Sequence, residues 1–325
     1  MDHCIGSLLT GSRDIEIIIV NDGSTKDNTA EKADKWHDDY PDIIKVIHQE
    51  NKGHGGAVMA GLREATGVYL HVVDSDDWLD RAALNLTLSK LRRFINSGSP
   101  VDLMITNYVY EHTTTGTRKV IHYRGALHRN RIFTWNELGS FKLGQNLLMH
   151  SLTYRTQVLR DSGLELPEHT FYVDNIFAYV PLPFVETLYY LPVDLYRYFI
   201  GRDDQSVNEQ TQIRRLDELV RVTLFMVKAF QLPEQVANRK LAKYMIRHLG
   251  LVVAAPCMYA VLADTPEAFA QRDEMWREID SIDPKLRGKL YRYQPAIFGT
   301  NVPGRFLRRL SITGYRLARR YYRFN

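Results

Sequence analysis

The chain has 325 residues, of which 45% are hydrophobic and 25% charged, with a formal net charge of +4. That balance suits a soluble globular protein with one large core or two modest ones, and it excludes disordered, collagen-like and low-complexity classes. The cysteines Cys4 and Cys257 lie far apart and match no metal-ligand spacing, so they read as small buried side chains of a protein from a reducing compartment.

At the front, Met1-Asp2-His3-Cys4 has no basic flank and the apolar run behind it is too short for a signal peptide. Residues 14–21 are rich in β-branched side chains and predict a buried parallel strand. Thr25 or Asp27 caps a helix that reaches about residue 40, where Pro41 stops it. A second strand at 43–48, a short helix at 56–65 closed by Gly67, and a third strand at 68–73 follow. This β-α-β-α-β alternation implies a parallel sheet covered by helices. A helix at 81–94, a break at 96–100 and a strand at 102–110 come next, and Thr113-Thr114-Thr115-Gly116-Thr117 reads as a hairpin turn that makes the sheet mixed. Residues 125–205 alternate short helices and strands. From Gln210 onward the pattern is helical, with Leu216, Leu219, Val220, Thr223 and Leu224 at helical spacing. The longest apolar stretch, 249–263, is shorter than the roughly 20 residues a spanning helix needs and contains Pro256, so it reads as a buried helix.

Two acidic turns carry the chemistry. Asn21-Asp22-Gly23-Ser24 and Asp74-Ser75-Asp76-Asp77 each follow a strand, where carboxylates are well placed to hold a nucleotide and a hard cation. Three carboxylates within four residues repel one another unless a cation or hydrogen-bond donors compensate, although an acidic turn can also simply cap the next helix. Between them, Asn51-Lys52-Gly53-His54-Gly55-Gly56 suits close backbone approach to an anion, with Lys52 adding charge. The loop superficially mimics a dinucleotide fingerprint, but Val58 stands where the third glycine belongs. His150 is a further candidate metal or phosphate ligand, set against its reading as a structural histidine between apolar neighbours.

The order Ile-Ile-Ile-Val-Asn-Asp-Gly-Ser-Thr (17–25), Asn51-Lys52-Gly53, Gly67-Val68-Tyr69-Leu70 and Asp74-Ser75-Asp76-Asp77-Trp78 resembles the family 2 glycosyltransferases of GT-A fold, over roughly residues 5–205. The resemblance implies a Rossmann-like, mixed but mainly parallel α/β sheet flanked by helices, with the nucleotide-sugar half at 1–110, an acceptor half at 111–207 and a helical extension at 208–325. It also implies an inverting transferase that uses a nucleotide-diphospho-sugar, a UDP-sugar being favoured, together with Mn²⁺ or Mg²⁺. Carried over by position, Asp22, Lys52, Gly53, Asp74 and Arg202 contact the donor, Asp76 and Asp77 serve the metal, and Asp174 is the acceptor base. Val173 replaces the Glu that usually precedes that base, and an N-cap role for Asp174 is compatible with catalysis.

The front departs from the family pattern. Residues 1–9 look like a helix that family members place after a first strand, and the expectation is a chain truncated there, with weakened donor binding. At the other end, residues 305–325 hold seven arginines and no acid, interleaved with apolar and aromatic side chains. That pattern fits either a basic amphipathic helix at an anionic membrane or a helix packed on the protein body. The expected protein is therefore a cytoplasmic glycosyltransferase, peripheral at the inner face of the plasma membrane through 303–325. It would act on a glycan or lipid-linked acceptor in surface polysaccharide or glycolipid synthesis, with no nucleic-acid partner. A non-catalytic sugar-nucleotide-binding or partner protein is the alternative from a different class.

Overall fold

The computed structural model describes all residues except 11, 13, 113–115, 143, 201–207, 302–304 and 323–325. Arg202 and the core of the expected hairpin turn at 113–117 thus lie outside the described residues. The chain forms two compact units, Met1–Phe199 and Ile200–Asn325.

The first unit opens with α1 (Asp2–Leu8), β1 (Ile17–Asp22), α2 (Thr29–Asp39), β2 (Ile44–Gln49) and α3 (Gly53–Glu64). Strands β1 and β2 pair in parallel, with Ile17 opposite Ile44 and Asp22 opposite Gln49. Ile5, Ile17 and Ile44 are buried together and make a small core of their own. Ahead of α2, the Asp27 carboxylate accepts the Thr29 N–H at 3.1 Å, which is how an acidic side chain satisfies an orphan donor at a helix start.

Next come β3 (Tyr69–Leu70), β4 (Trp78–Leu79), α4 (Arg81–Asn96), β5 (Leu103–His112), β6 (Thr117–Ile121), β7 (Ile132–Phe133), β8 (Leu152–Arg155), α5 (Thr156–Asp161), α6 (Asp174–Tyr179) and β9 (Leu188–Ile200). Seven strands form a sheet in the order β3-β8-β5-β9-β4, with β6 added on β5 and β7 on β9. The fold is mixed α/β as expected, but the parallel emphasis needs correcting. β3 pairs antiparallel with β8, and β5–β8, β5–β6, β4–β9 and β7–β9 are antiparallel too. β1 and β3 belong to different sheets. They are linked at their starts, where the Glu16 carboxylate accepts the N–H groups of Thr66 and Gly67 at 2.6 and 2.7 Å.

The large core lies between α4 and this sheet. The Asp80 side chain caps α4 by accepting the Ala83 N–H. Ala83, Leu84 and Leu91 face inward at helical spacing, against Met104, Tyr108, Leu195 and Tyr196. Each buried Leu or Tyr there contributes on the order of 2 kcal/mol. Asp80 also accepts from Arg197, which reaches Glu111 as well, so the pairing of β4 with β9 is fixed by charge as well as by backbone.

The second unit is helical: α7 (Glu209–Arg214), α8 (Leu216–Ala229), α9 (Arg239–Ala263), α10 (Pro266–Ile282), α11 (Leu286–Tyr293), α12 (Pro295–Asn301) and α13 (Arg305–Tyr322). On α8 the residues Leu216, Leu219 and Thr223 are buried as their spacing predicts, together with Val222 and Met226. Helix α9 extends well ahead of the apolar stretch at 249–263 and, by length and composition alone, is long enough to cross a membrane. It is instead the centre of the bundle, packed by α8, α10, α11 and α12, with Met245, Leu249, Val253, Cys257 and Ala260 fully enclosed.

Candidate active site

The first acidic turn is built at the end of β1. Asp22 Oδ1 accepts from the Gln49 side chain at 2.7 Å and from the Lys52 N–H at 2.8 Å, and Oδ2 accepts the Gly53 N–H at 2.8 Å. Asp22, Lys52 and Gly53 are thus brought together as expected, with the carboxylate shaping the loop from within. Gly53 sits at φ +74, and a Cβ there would approach the His169 N at 3.0 Å. Only glycine satisfies both conditions. The Lys52 carbonyl accepts the His169 N–H at 2.8 Å, and its ammonium pairs with Glu168 at 3.0 Å. The loop after β2 is thereby fastened to the segment that leads into α6 and Asp174. Along that segment His169 and Tyr172 hold positive φ values of 49 and 64, a conformation that costs a non-glycine residue energy and is found where the surrounding structure enforces it.

The second acidic turn follows β3 and is closed by the Asp77 N–H donating to the Asp74 carbonyl at 3.0 Å. Asp77 is almost fully enclosed: Oδ1 accepts the Phe199 N–H at 2.8 Å and Oδ2 the Tyr196 hydroxyl at 2.7 Å. The same hydroxyl accepts the Asp74 N–H at 3.1 Å. Around the Asp74 carboxylate stand two imidazoles, His54 Nε2 at 3.2 Å and His150 Nε2 at 3.5 Å. His54 comes from the first turn of α3, and His150 from a 3₁₀ turn, Met149–Ser151, just before β8. Tyr196 and Tyr198 wall His150 at ring-centroid distances of 4.6 and 4.7 Å, and Tyr110 packs on Tyr198 at 5.5 Å.

Burial and mutual charge set the protonation of this cluster. Burial alone would raise Asp74, but hydrogen bonds and charge from His150 and His54 hold it far below the usual carboxylate range. Burial would likewise lower both histidines, and the Asp74 hydrogen bond and charge, with help from Asp174, raise them instead. Asp77 is pushed up to about 7 by burial and by the Asp74 charge, against the pull of its two donors. Asp174 is the first residue of α6, the cap position being Val173, and its Oδ1 accepts from the Asn175 side-chain amide at 3.2 Å. Burial raises it, with the His150 and His54 charges opposing. Paired carboxylates driven to different proton affinities are what acid, base and charge-stabilising roles require of one site.

Ligand atoms of Asp74, Asp77 and His150 all lie within 4.8 Å of one another. Of the two expected metal residues, Asp77 falls in this group and Asp76 does not; His150 takes the third place. The buried His150 Nδ1 has no hydrogen-bond partner. Two carboxylates and an imidazole are a donor set that can hold a divalent cation. Sequence reasoning missed His54 and the tyrosines. The one local signal for His54 was its place between two glycines of the anion-suited loop.

Residues 1–160 match the model of Glycosyl transferase family 2. EpsH of Bacillus subtilis (strain 168), which bears a glycosyltransferase name, is 30% identical over 217 residues, covering 61% of this chain and 56% of EpsH. The chondroitin synthase of Escherichia coli is 35% identical over 92 residues, 28% of this chain and 13% of that protein. The chain thus spans little more than half the length of the first of these relatives. Among solved structures, residues 1–349 of S. aureus TarS in complex with UDP-GlcNAc superpose with a TM-score of 0.53 at 14% identity, covering 88% of this chain and 87% of that one. That likeness concerns the fold, which is GT-A.

Proposed function

The chain belongs to Glycosyl transferase family 2 through residues 1–160, and from that premise we propose that it moves a sugar from a nucleotide-diphospho-sugar, a UDP-sugar, to a hydroxyl of a glycan or lipid-linked acceptor with inversion. The observation that carries this reading is the convergence of Asp74, Asp77 and His150 in a cluster whose charges also act on Asp174. Asp74, Asp77 and His150 would hold a divalent cation, Mn²⁺ by the chemistry of the donors, and such an ion neutralises charge growing on a departing diphosphate. Asp174 accepts the proton of the attacking hydroxyl, and burial, by raising its proton affinity, makes it a stronger base near neutrality. The loop at Lys52 and Gly53, held by Asp22, positions the donor against that base through its link to His169.

A role in surface polysaccharide synthesis is supported by the chondroitin synthase similarity. A cytoplasmic site of action is supported by two cysteines that are both free and buried. The test is calorimetric titration of UDP and GDP, with and without Mn²⁺, alongside turnover of the wild type and Asp174→Asn. We expect Mn²⁺-dependent UDP binding in both proteins, with turnover lowered about 10²- to 10⁴-fold in the variant, the usual worth of a general base. Binding without turnover in the wild type would favour a sugar-nucleotide-binding protein.

A further inference from the structure

Helix α13 has two faces with different chemistry. On one, the Arg308 guanidinium lies 4.1 Å from the centre of the Phe269 ring and 3.6 Å from Asp264. On the same side Tyr315 meets Tyr259 edge-on at 6.4 Å, and Ser311 Oγ fills the space where a Cβ on Gly299 would come within 2.9 Å. This side packs on α9, α10 and α12. On the other side Arg309, Leu310, Thr313, Arg316 and Leu317 are exposed, and the two leucines retain 59% and 63% of their surface. Leu310 and Leu317 are seven residues apart, as are Arg309 and Arg316. Two turns of helix therefore stack the leucines in one stripe and the arginines in the stripe beside it.

We propose that this outward face docks on an anionic lipid bilayer, with α13 lying in the plane of the interface. The leucine stripe is too narrow, and too closely edged by guanidinium groups, for the centre of a protein interface, which is depleted of charge. Its companion stripe has the charge that lipid phosphates complement, and residues 305–325 carry seven arginines with no acid to offset them. Leucines entering the acyl boundary while adjacent arginines reach the headgroups is the mode of an interfacial amphipathic helix. Because the opposite face is already packed, the helix is ordered before it meets the membrane. The docking does not depend on the transferase reading, since it rests on residues of the second unit alone.

The experiment is co-sedimentation of the full chain with vesicles of phosphatidylcholine alone and of phosphatidylcholine mixed with phosphatidylglycerol, repeated with single-stranded RNA as competitor. Three variants are compared: L310S/L317S, R309Q/R316Q and, on the packed face, R308Q. We expect binding to the mixed vesicles only. It should fall by roughly 10- to 30-fold in R309Q/R316Q, each arginine near such a surface being worth about fivefold, and by a similar factor in L310S/L317S. R308Q should bind within about twofold of wild type, and far-ultraviolet circular dichroism should show all variants folded. Equal binding by wild type and the leucine variant would overturn the proposal. So would equal binding to neutral vesicles, or displacement of the chain from vesicles by RNA.

Discussion

The two acidic turns follow strands in the same half of the molecule, yet their carboxylates live in opposite surroundings. Asp22 is met by two backbone N–H groups and a glutamine side chain, all neutral donors. Asp74 is met by two imidazoles, with the buried Asp77 beside it. A carboxylate fully engaged by amides is part of the scaffold. Asp74, whose charge raises the proton affinity of both histidines and of Asp77, stands in a cluster whose charge balance a bound cation would shift. Similar sequence patterns thus build a tied loop in one place and a buried cluster of titratable groups in the other.

The largest expected effect separates the two turns directly. Asp74→Asn should weaken Mn²⁺ binding, measured by calorimetry or by the loss of free-ion resonance signal, by at least about 100-fold, because it removes a ligand rather than a neighbour of one. Asp22→Asn should leave Mn²⁺ affinity within a few-fold of wild type. It should nonetheless lower unfolding free energy by about 1–3 kcal/mol, since the new amide cannot accept both the Lys52 and Gly53 N–H groups. Equal loss of Mn²⁺ binding in the two variants would erase the distinction.

The histidines sharpen the contrast. His54 and His150 are raised because acids surround them, whereas His248, enclosed in the second unit beside Tyr244, is pulled down to about 4 by burial and then by the Arg247 charge. A histidine whose folded proton affinity is depressed leaves stability intact above its unfolded value near 6.5. Stability then falls as pH drops from there toward 4, because the unfolded chain takes up the proton first. The loss amounts to about 3 kcal/mol for this one group. Urea unfolding of wild type and His248→Gln across that range should converge as pH falls. Parallel curves would show that His248 is not held neutral.

Much of this arrangement was legible in the chain. Asp22, Lys52 and Gly53 declare themselves because a strand, a turn and a glycine-dense loop are local patterns, and the loop closes on a residue only a short span away. Asp74 and Asp77 declare themselves for the same reason. His54 does not, and His150 shows itself only as a candidate ligand with a structural alternative, because their meaning comes from a meeting on Asp74 that only the packing of α3 and the turn before β8 creates. The antiparallel pairing of β3 was hidden likewise, since β8 lies more than eighty residues downstream of it and hydrophobic alternation carries no record of strand direction. For α13 the pattern announced an amphipathic helix, and tertiary contacts alone decide which of its arginines are spent on Phe269 and Asp264 and which face outward.

The smallest expected effect concerns how the first turn is tied to the segment before Asp174. Two links are present: the Lys52–Glu168 ion pair, with both side chains about half exposed, and the His169 N–H bonded to the Lys52 carbonyl beside Gly53. An exposed ion pair contributes about 0–1 kcal/mol and is screened by salt, so Glu168→Gln should shift the unfolding midpoint little, and less still in high salt. Gly53→Ala has to hold a methyl group at φ +74 against the His169 backbone, at 3.0 Å, where neither partner is a flexible side chain. It should lower stability by about 1–3 kcal/mol and, by displacing the segment that leads to Asp174, depress turnover more than donor binding. If Glu168→Gln were the more damaging change of the two, the coupling between the loops would be electrostatic, and the first turn would share the character of the second.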